Sequence, residues 1–340
     1  MSACSSHDDE GLSVVGSRTV TLRIFVPMGD DLSTRAPGDP GVSSSLSAPT
    51  IAYVFFVQNG NVVTLRNEAN DADLPCKFSL ADDFGTAEEE DYAGTLSTTD
   101  DRVWRFPSKK FTVTDGSKAG KFYVVVSNRP LMSGGTELSN LSVSTEADVL
   151  ALTFDLNNAD ADEQAANIAD LPNIYSTPYN YQPDGSTYYG TLPIGADHVV
   201  DLMLYHVAAR VDVKWNVDAS LQTTRKVKTM AVDQLKLKGC KIFKPMENTS
   251  LGDSPYSLSL KTVAEVGRQW YGRASFYAIP YVTSDHFPMD LVVDNSDASH
   301  TTTVKLNMTA ADLVFVPWIR VNLTYDEETD FTQSTLNLGD

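Results

Sequence analysis

Near its N-terminus the chain carries an apolar strand with no neighbour close enough in sequence to pair with it. Thr19-Val20-Thr21-Leu22-Arg23-Ile24-Phe25-Val26 alternates, with Val20, Leu22, Ile24 and Val26 on one face and Thr19, Thr21, Arg23 and Phe25 on the other. The next stretch, 27–49, is crowded with Ser and Gly and broken by Pro27, Pro37, Pro40 and Pro49, so no tight turn leads to a second strand. Any partner for this strand must come from far along the chain. Burying its four apolar side chains contributes about 6–12 kcal/mol as an upper estimate, which rivals the whole stability of a small domain. The fold therefore needs this strand, while the covalent chain ties it down only loosely.

Strand signals dominate the rest. Residues 51–57 lead into Asn59-Gly60-Asn61, a good hairpin turn, with 62–65 returning from it. Further strands are expected at 111–114, 121–127, 199–217, 232–238, 273–281, 289–293, 301–308 and 319–325, from their Val, Tyr and Phe content. Helical periodicity is scarce: short helices fit 143–152 and 161–169, and a single turn fits 309–312. Many short strands with turn signals between them predict an all-β protein of β-sandwich type with a few short helices. At 340 residues there is chain enough for two domains. The irregular stretch 157–195 precedes a fresh long alternation, which places the division there: a tether at 1–18, an N-terminal domain at 19–195 and a C-terminal domain at 196–340.

Composition and spacing exclude several functions. With 45 acidic against 26 basic residues, a net charge of -19, the chain repels phosphate and is no nucleic-acid binder. It has no apolar run near the ~20 residues that a membrane-spanning helix needs. Cys4, Cys76 and Cys240 lie far apart without metal-ligand spacing, and two separate thiols at Cys76 and Cys240 are preferred to a disulfide between them. No catalytic motif appears, so neither an enzyme nor a cofactor is expected. His198 and His206, read as one strand face, stand ~27 Å apart and cannot share a metal. Asn158-x-Asp160-x-Asp162 resembles the start of a calcium loop but lacks its glycine and distal glutamate, so no metal site is expected. The acidic run at 88–91 reads as a solvated loop. Tyr175, Tyr179, Tyr181, Tyr188 and Tyr189 crowd one segment, as a sugar platform or as packing for a long loop.

The first residues carry a further signal. Ser2-Ala3-Cys4 matches the last three positions of a bacterial lipobox, although Met1 stands where a leucine is expected. Small residues before a near-terminal cysteine, with an acidic stretch after it, point to Cys4 as a lipidated anchor. Diacyl chains would hold the chain to a membrane without a spanning helix.

These parts, in this order, resemble the FimA/Mfa-type fimbrillins of Bacteroidales, the type V pilins. The likeness rests on the lipobox remnant followed by one isolated strand, and on Ser33-Thr34-Arg35-Ala36 in the Pro/Ser/Gly segment. It rests also on Phe122-Tyr123-Val124-Val125-Val126-Ser127-Asn128 and on Tyr205-His206-Val207-Ala208-Ala209-Arg210-Val211-Asp212-Val213, where His206 replaces a basic residue of the family pattern. The resemblance implies two transthyretin-like β-sandwich domains and export as an outer-membrane lipoprotein. It also implies cleavage between Arg35 and Ala36 by an arginine- or trypsin-like protease, and assembly with other fimbrial subunits. Arg35 is the sole basic residue between Arg23 and Arg66. Cutting there turns the first strand into a peptide able to leave, and the groove behind it is a template for another chain's strand. Ile319, Val321, Leu323 and Tyr325 repeat the apolar spacing of the first strand and are the candidate donor, with 331–338 as the other choice. Shaft and tip positions stay open at this point. The rival readings are an uncut fimbrial anchor and a glycan-binding surface lipoprotein.

Overall fold

The computed structural model describes residues 16–27, 49–91, 102–138, 143–156, 173–177, 190–195, 197–218, 220, 227–232, 235–243, 256–257, 261–262, 271–279, 290–295, 300–305, 318–326 and 330–338. The fold is all-β. Its first half is a two-sheet sandwich built on β1 (Arg18–Pro27), β2 (Ile51–Gln58), β3 (Arg102–Val113), β4 (Gly120–Ser127) and β5 (His198–Met203). The front sheet runs β5-β1-β3, with Arg66–Asn67 and Glu88–Asp91 both on the far side of β3. The back sheet centres on β4 and β2 and is extended by Ile174–Ser176, Tyr205–His206, Gly190–Leu192, Asn61–Val63 and Lys77–Ser79. Alternate residues of both sheets meet in one core, including Val20, Leu22, Ile24 and Val26 from β1 and Ala52, Val54 and Phe56 from β2. Phe122, Val124 and Val126 of β4 complete its centre.

At its centre, β2 and β4 of the back sheet are buried on both faces. Tyr53, Phe55, Val57, Tyr123 and Val125, which point away from the first core, are buried in a second one with Val149, Phe154, Val207, Phe243 and Tyr277. This explains why β2 and β4 read as unbroken apolar runs rather than as alternations. The covering segment includes α1 (Glu146–Leu150), inside the expected 143–152. Thr145 caps it, and the Asp148 carboxylate accepts from the Thr145 N–H to close a capping box. The hairpin expected at Asn59-Gly60 is present, with φ of 50° and 76°, the mirror-image turn that a two-residue loop favours.

The second half is built from two further sheets, using β6 (Ala209–Val217), β7 (Val227–Val232), β8 (Tyr271–Ala278), β9 (Asp290–Asn295), β10 (His300–Lys305), β11 (Trp318–Asp326) and β12 (Asp330–Leu338). One sheet is ordered Lys261–Thr262, β8, β6, β11, β12, with β6 and β11 parallel. The other is ordered Tyr256–Ser257, β7, β9, β10. Val211, Val213, Trp215 and Val217 form the buried row of β6.

Several elements differ from their sequence reading. The single run expected at 199–217 is three strands in three sheets: β5 beside β1, Tyr205–His206 beside Ile174–Ser176, and β6 in the second half. The Leu204 N–H donates to the Phe25 carbonyl at 2.8 Å and the Val207 N–H to the Ile174 carbonyl at 2.9 Å, so each change of sheet is itself hydrogen-bonded. The division expected at residue 195 falls ahead of β5, whose ladder is with β1. The strand expected at 232–238 ends at Val232. Glu88–Asp91 is an edge strand, not a loop, and its carboxylates Glu88 and Glu90 accept from Arg105 on β3. Charges along an exposed edge are a usual guard against stray strand pairing.

Two measurements test this packing. A Cβ at Gly120 would lie 2.2 Å from the Phe56 ring and 3.1 Å from the Val57 carbonyl, and Phe56 is fixed against Phe122 at 4.7 Å between centroids. Gly120→Ala should cost about 1–3 kcal/mol in urea unfolding through overpacking. The His206 imidazole lies 4.1 Å from the Tyr175 ring, and burial pushes its pKa down to about 3. The unfolded chain takes up that proton near pH 6.5, so this contribution to stability is whole above pH 6.5 and lost as pH falls from 6.5 to 3, at up to about 1.4 kcal/mol per pH unit. In His206→Gln, unfolding compared at pH 7 and pH 5 should fall less steeply than in the native chain.

Candidate strand-exchange site

β1 sits inside its sheet, not at an edge. It runs antiparallel to β3, from Arg18 opposite Val113 to Pro27 opposite Val103, and parallel to β5, from Val20 beside His198 to Phe25 beside Met203. Opposite Arg23 the register slips, because Leu22 faces Lys109 and Ile24 faces Phe106. Pro107 and Ser108 thus make a bulge in β3, one of the few places where a proline without an N–H is tolerated in a sheet interior. Between β1 and β2 run 23 residues, so the chain does not hold the strand against either partner. With adjacent strands ~4.8 Å apart, lifting β1 out leaves a slot ~10 Å wide, just one strand across.

The two faces of β1 differ in chemistry. Val20, Leu22 and Ile24 are fully buried and Val26 is 3% exposed, so the inward row sees no water. On the outward face the Arg23 guanidinium donates to both Asp201 carboxylate oxygens, each at 2.5 Å, across the parallel pair. Both side chains are more than two-fifths exposed, so this pair adds little stability but fixes register. Phe25 packs with Val103 and Met203 at one end. At the other, the Thr19 N–H donates to Asp197 Oδ1 at 2.7 Å, and Arg18, 4% exposed, donates to backbone carbonyls of the flanking loops.

The candidate donor is an inner strand as well. β11 lies between β6 and β12, and its row includes the buried Val321 and Leu323. Ile319 and Tyr325 stand on the same strand at registers opposite Leu338 and Phe331. Among the described residues β12 is the edge strand, with a single ladder to β11. Its strand character was hidden in the sequence by a bulge: Asn322 faces Thr335 while Leu323 faces Gln333, leaving Ser334 as the extra residue. That slip lets Phe331, Leu336 and Leu338 stand opposite Tyr325, Val321 and Ile319 although their spacing breaks strict alternation.

Other sequence expectations are placed as follows. Cys4, Arg35 and Ala36 lie outside the described residues, as do Asn158, Asp160, Asp162, Tyr179, Tyr181, Tyr188 and Tyr189. Tyr175 is buried against His206 rather than presented as a sugar platform. Cys76 and Cys240 are both free thiols, one half-buried and one buried, and burial pushes the Cys240 thiol up to about 12. Among the described residues no cluster of three or more His, Cys, Asp or Glu could hold a metal, and no helix is long and apolar enough to cross a membrane. Sequence reading missed Arg18, Asp197 and Asp201. Only the Arg23–Asp201 charge pair left a trace, and nothing local announces a parallel pairing 178 residues away.

The burial of β1 makes a direct prediction. Leu22→Ala should lower the unfolding free energy by about 2–5 kcal/mol, whereas Arg23→Ala should cost less than about 1 kcal/mol. Urea titration of the intact chain checks both.

No family model matches the chain, and no curated protein matches it. Solved structures to which the chain is similar include a fimbrial assembly protein from Parabacteroides distasonis, with 11% identity and a TM-score of 0.48 over 95% of this chain and 96% of that one. Another is the fimbrial anchor protein Mfa2 from Porphyromonas gingivalis, with 10% identity and a TM-score of 0.41 over 94% of this chain and 96% of that one.

Proposed function

We propose that this chain is a structural subunit of a cell-surface fimbria, made as a lipoprotein precursor acylated at Cys4 and opened by cleavage between Arg35 and Ala36. An arginine- or trypsin-like protease makes the cut, and the subunit then polymerises by strand exchange with other fimbrial subunits. The observation that carries this reading is the position of β1: fully buried on its inner face, laddered on both edges, and joined to the next strand through 23 residues. An ordinary core strand needs no such tether. A removable one does.

While it is in place, β1 completes the front sheet and keeps the precursor monomeric. After the cut it is a separate peptide, held by its ladders and its apolar row alone. Once it leaves, β3 and β5 face each other across a slot with unpaired N–H and C=O groups on both walls. A sheet edge in that state captures an extended strand by β-augmentation. Because the slot and the donor belong to different sheets, the contact is head-to-tail and need not close, which makes filaments.

This chain donates in turn through its C-terminal hairpin of β11 and β12, to the groove of another subunit. The row Ile319, Val321, Leu323 and Tyr325 repeats the spacing of Val20, Leu22, Ile24 and Val26. β12 is the readier strand, since it gives up one ladder where β11 gives up two.

Trypsin digestion followed by mass spectrometry and native gels over several days tests this scheme. An early cut after Arg35, release of the peptide containing β1 and a ladder of oligomers are expected. Arg18 and Arg23, paired within the sheet, should resist. Early cuts elsewhere with Arg35 spared, or a cut chain whose N-terminal peptide never leaves, would sink it.

A further inference from the structure

The groove-facing row of β1 does not begin with an apolar residue. It begins with Arg18, whose guanidinium lies at the end of the slot where the Val20, Leu22, Ile24 and Val26 row starts. Its Nη1 donates to the Pro193 carbonyl and to the Gly195 carbonyl at 3.3 Å, and its Nη2 donates to the Lys118 carbonyl at 3.1 Å. These three acceptors come from two loops, one after β3 and one before β5. The loops are braced without help from Arg18. Gln58 Nε2 donates to the Asp115 and Lys118 carbonyls at 2.9 and 3.0 Å, and the Gly195 N–H donates to the Gly116 carbonyl at 3.4 Å. Those bonds do not involve β1; when it departs, the Lys118 carbonyl keeps the Gln58 donor, while the Pro193 and Gly195 carbonyls lose the Arg18 guanidinium.

We propose that this carbonyl cage is a cation subsite of the exchange groove. It selects an incoming strand that carries Arg or Lys two residues before the first of its four groove-facing apolar side chains. The inference rests on the strand-exchange reading above and names the partner that reading left open. Arg18 is only 4% exposed where it meets these carbonyls, and a charged donor makes a stronger hydrogen bond there than a neutral one. The site thereby discriminates among strands that fill the apolar pockets equally well.

The chain's own C-terminal hairpin lacks this feature. Laying Ile319, Val321, Leu323 and Tyr325 along the groove in the direction of β1 puts Pro317 at the cation position, and the reverse direction puts Glu327 there. Neither donates a charged hydrogen bond. Residues 330–338 contain no Lys or Arg. The occupant is therefore a strand of a different subunit, while this chain's hairpin serves another acceptor. The Arg18 Nε–H has no acceptor, so two of three guanidinium nitrogens carry the contact, and a lysine ammonium offers as many donors.

Two measurements test the cage separately from the cut. In the intact chain, hydrogen exchange of the 19–26 amides should quicken at least about tenfold in Arg18→Met and return towards the native rate in Arg18→Lys. Equal rates in all three overturn the proposal even if Arg35 is never cleaved. After cleavage, release of β1 and removal of trypsin, labelled 18–27 peptides with Arg, Lys or citrulline at position 18 are titrated against the open groove. Citrulline keeps the shape and loses the charge, so it should bind at least about tenfold more weakly than Arg, with Lys close to Arg. Peptides of 318–326 and 330–338 should be no tighter than the citrulline peptide. Equal binding of Arg and citrulline peptides overturns the cation subsite, and binding of either C-terminal peptide as tight as the Arg peptide overturns the assignment to a different subunit. Failure of β1 to leave a cut chain would instead refute the strand-exchange reading, with the exchange rates still deciding the cage.

Discussion

A strand inside a sheet needs a ladder on each edge, and β1 obtains both from partners its own loop cannot deliver. β3 arrives from one direction in sequence and β5 from almost the far end of the first half, antiparallel on one side and parallel on the other. The front sheet is therefore continuous only while β1 is in it. Its inward row is also the lid of the main core, lying over Val54, Phe56, Phe122 and Val124. Backbone pairing and apolar burial are concentrated in one short segment whose connection to the rest runs through 23 residues of Pro-, Ser- and Gly-rich chain. Stability and separability thus belong to the same element.

How much of this could be read beforehand depends on the range over which each signal acts. The alternation of β1, the Asn59-Gly60 turn and the capped α1 are local, and each stood where residue chemistry put it. The doubly buried β2 and β4 were legible as strands from their apolar content alone, but not the reason for it, since their second cover comes from 131–156 and from the second half. The acidic strand Glu88–Asp91 went unread because its stability comes from Arg105 across the ladder, not from its own propensity. β12 was obscured by one extra residue, Ser334, which shifts the apolar phase midway. A bulge is invisible to a period-2 count.

For the candidate site, the apolar row was written in the sequence and the polar ends were not. Arg18 reads as a solvated charge at a strand's start. Only the fold brings the carbonyls of Lys118, Pro193 and Gly195 around it. Arg23 and Asp201 likewise become neighbours through a parallel register that no local pattern encodes. Long-range pairing supplies partners, and partners decide whether a charge is decoration or a contact.

In the passage between the halves the sheets run on across residue 195. A linker is usually exposed and polar. Here Leu202, Met203, Leu204, His206, Val207 and Ala208 are all buried while the chain visits three sheets in succession. β5, one wall of the slot, thus leads through Leu204, His206, Val207 and Ala208, all buried, to β6 of the C-terminal sheet. Removing β1 takes away the one ladder that β5 has among the described residues, but not this continuation, nor the cover that Val207, Tyr277 and Phe243 give to the back sheet. What then holds the wall is the chain's passage into the back sheet, where the Val207 N–H donates to the Ile174 carbonyl, and a new strand in the register of the old one restores the ladder that β5 lost.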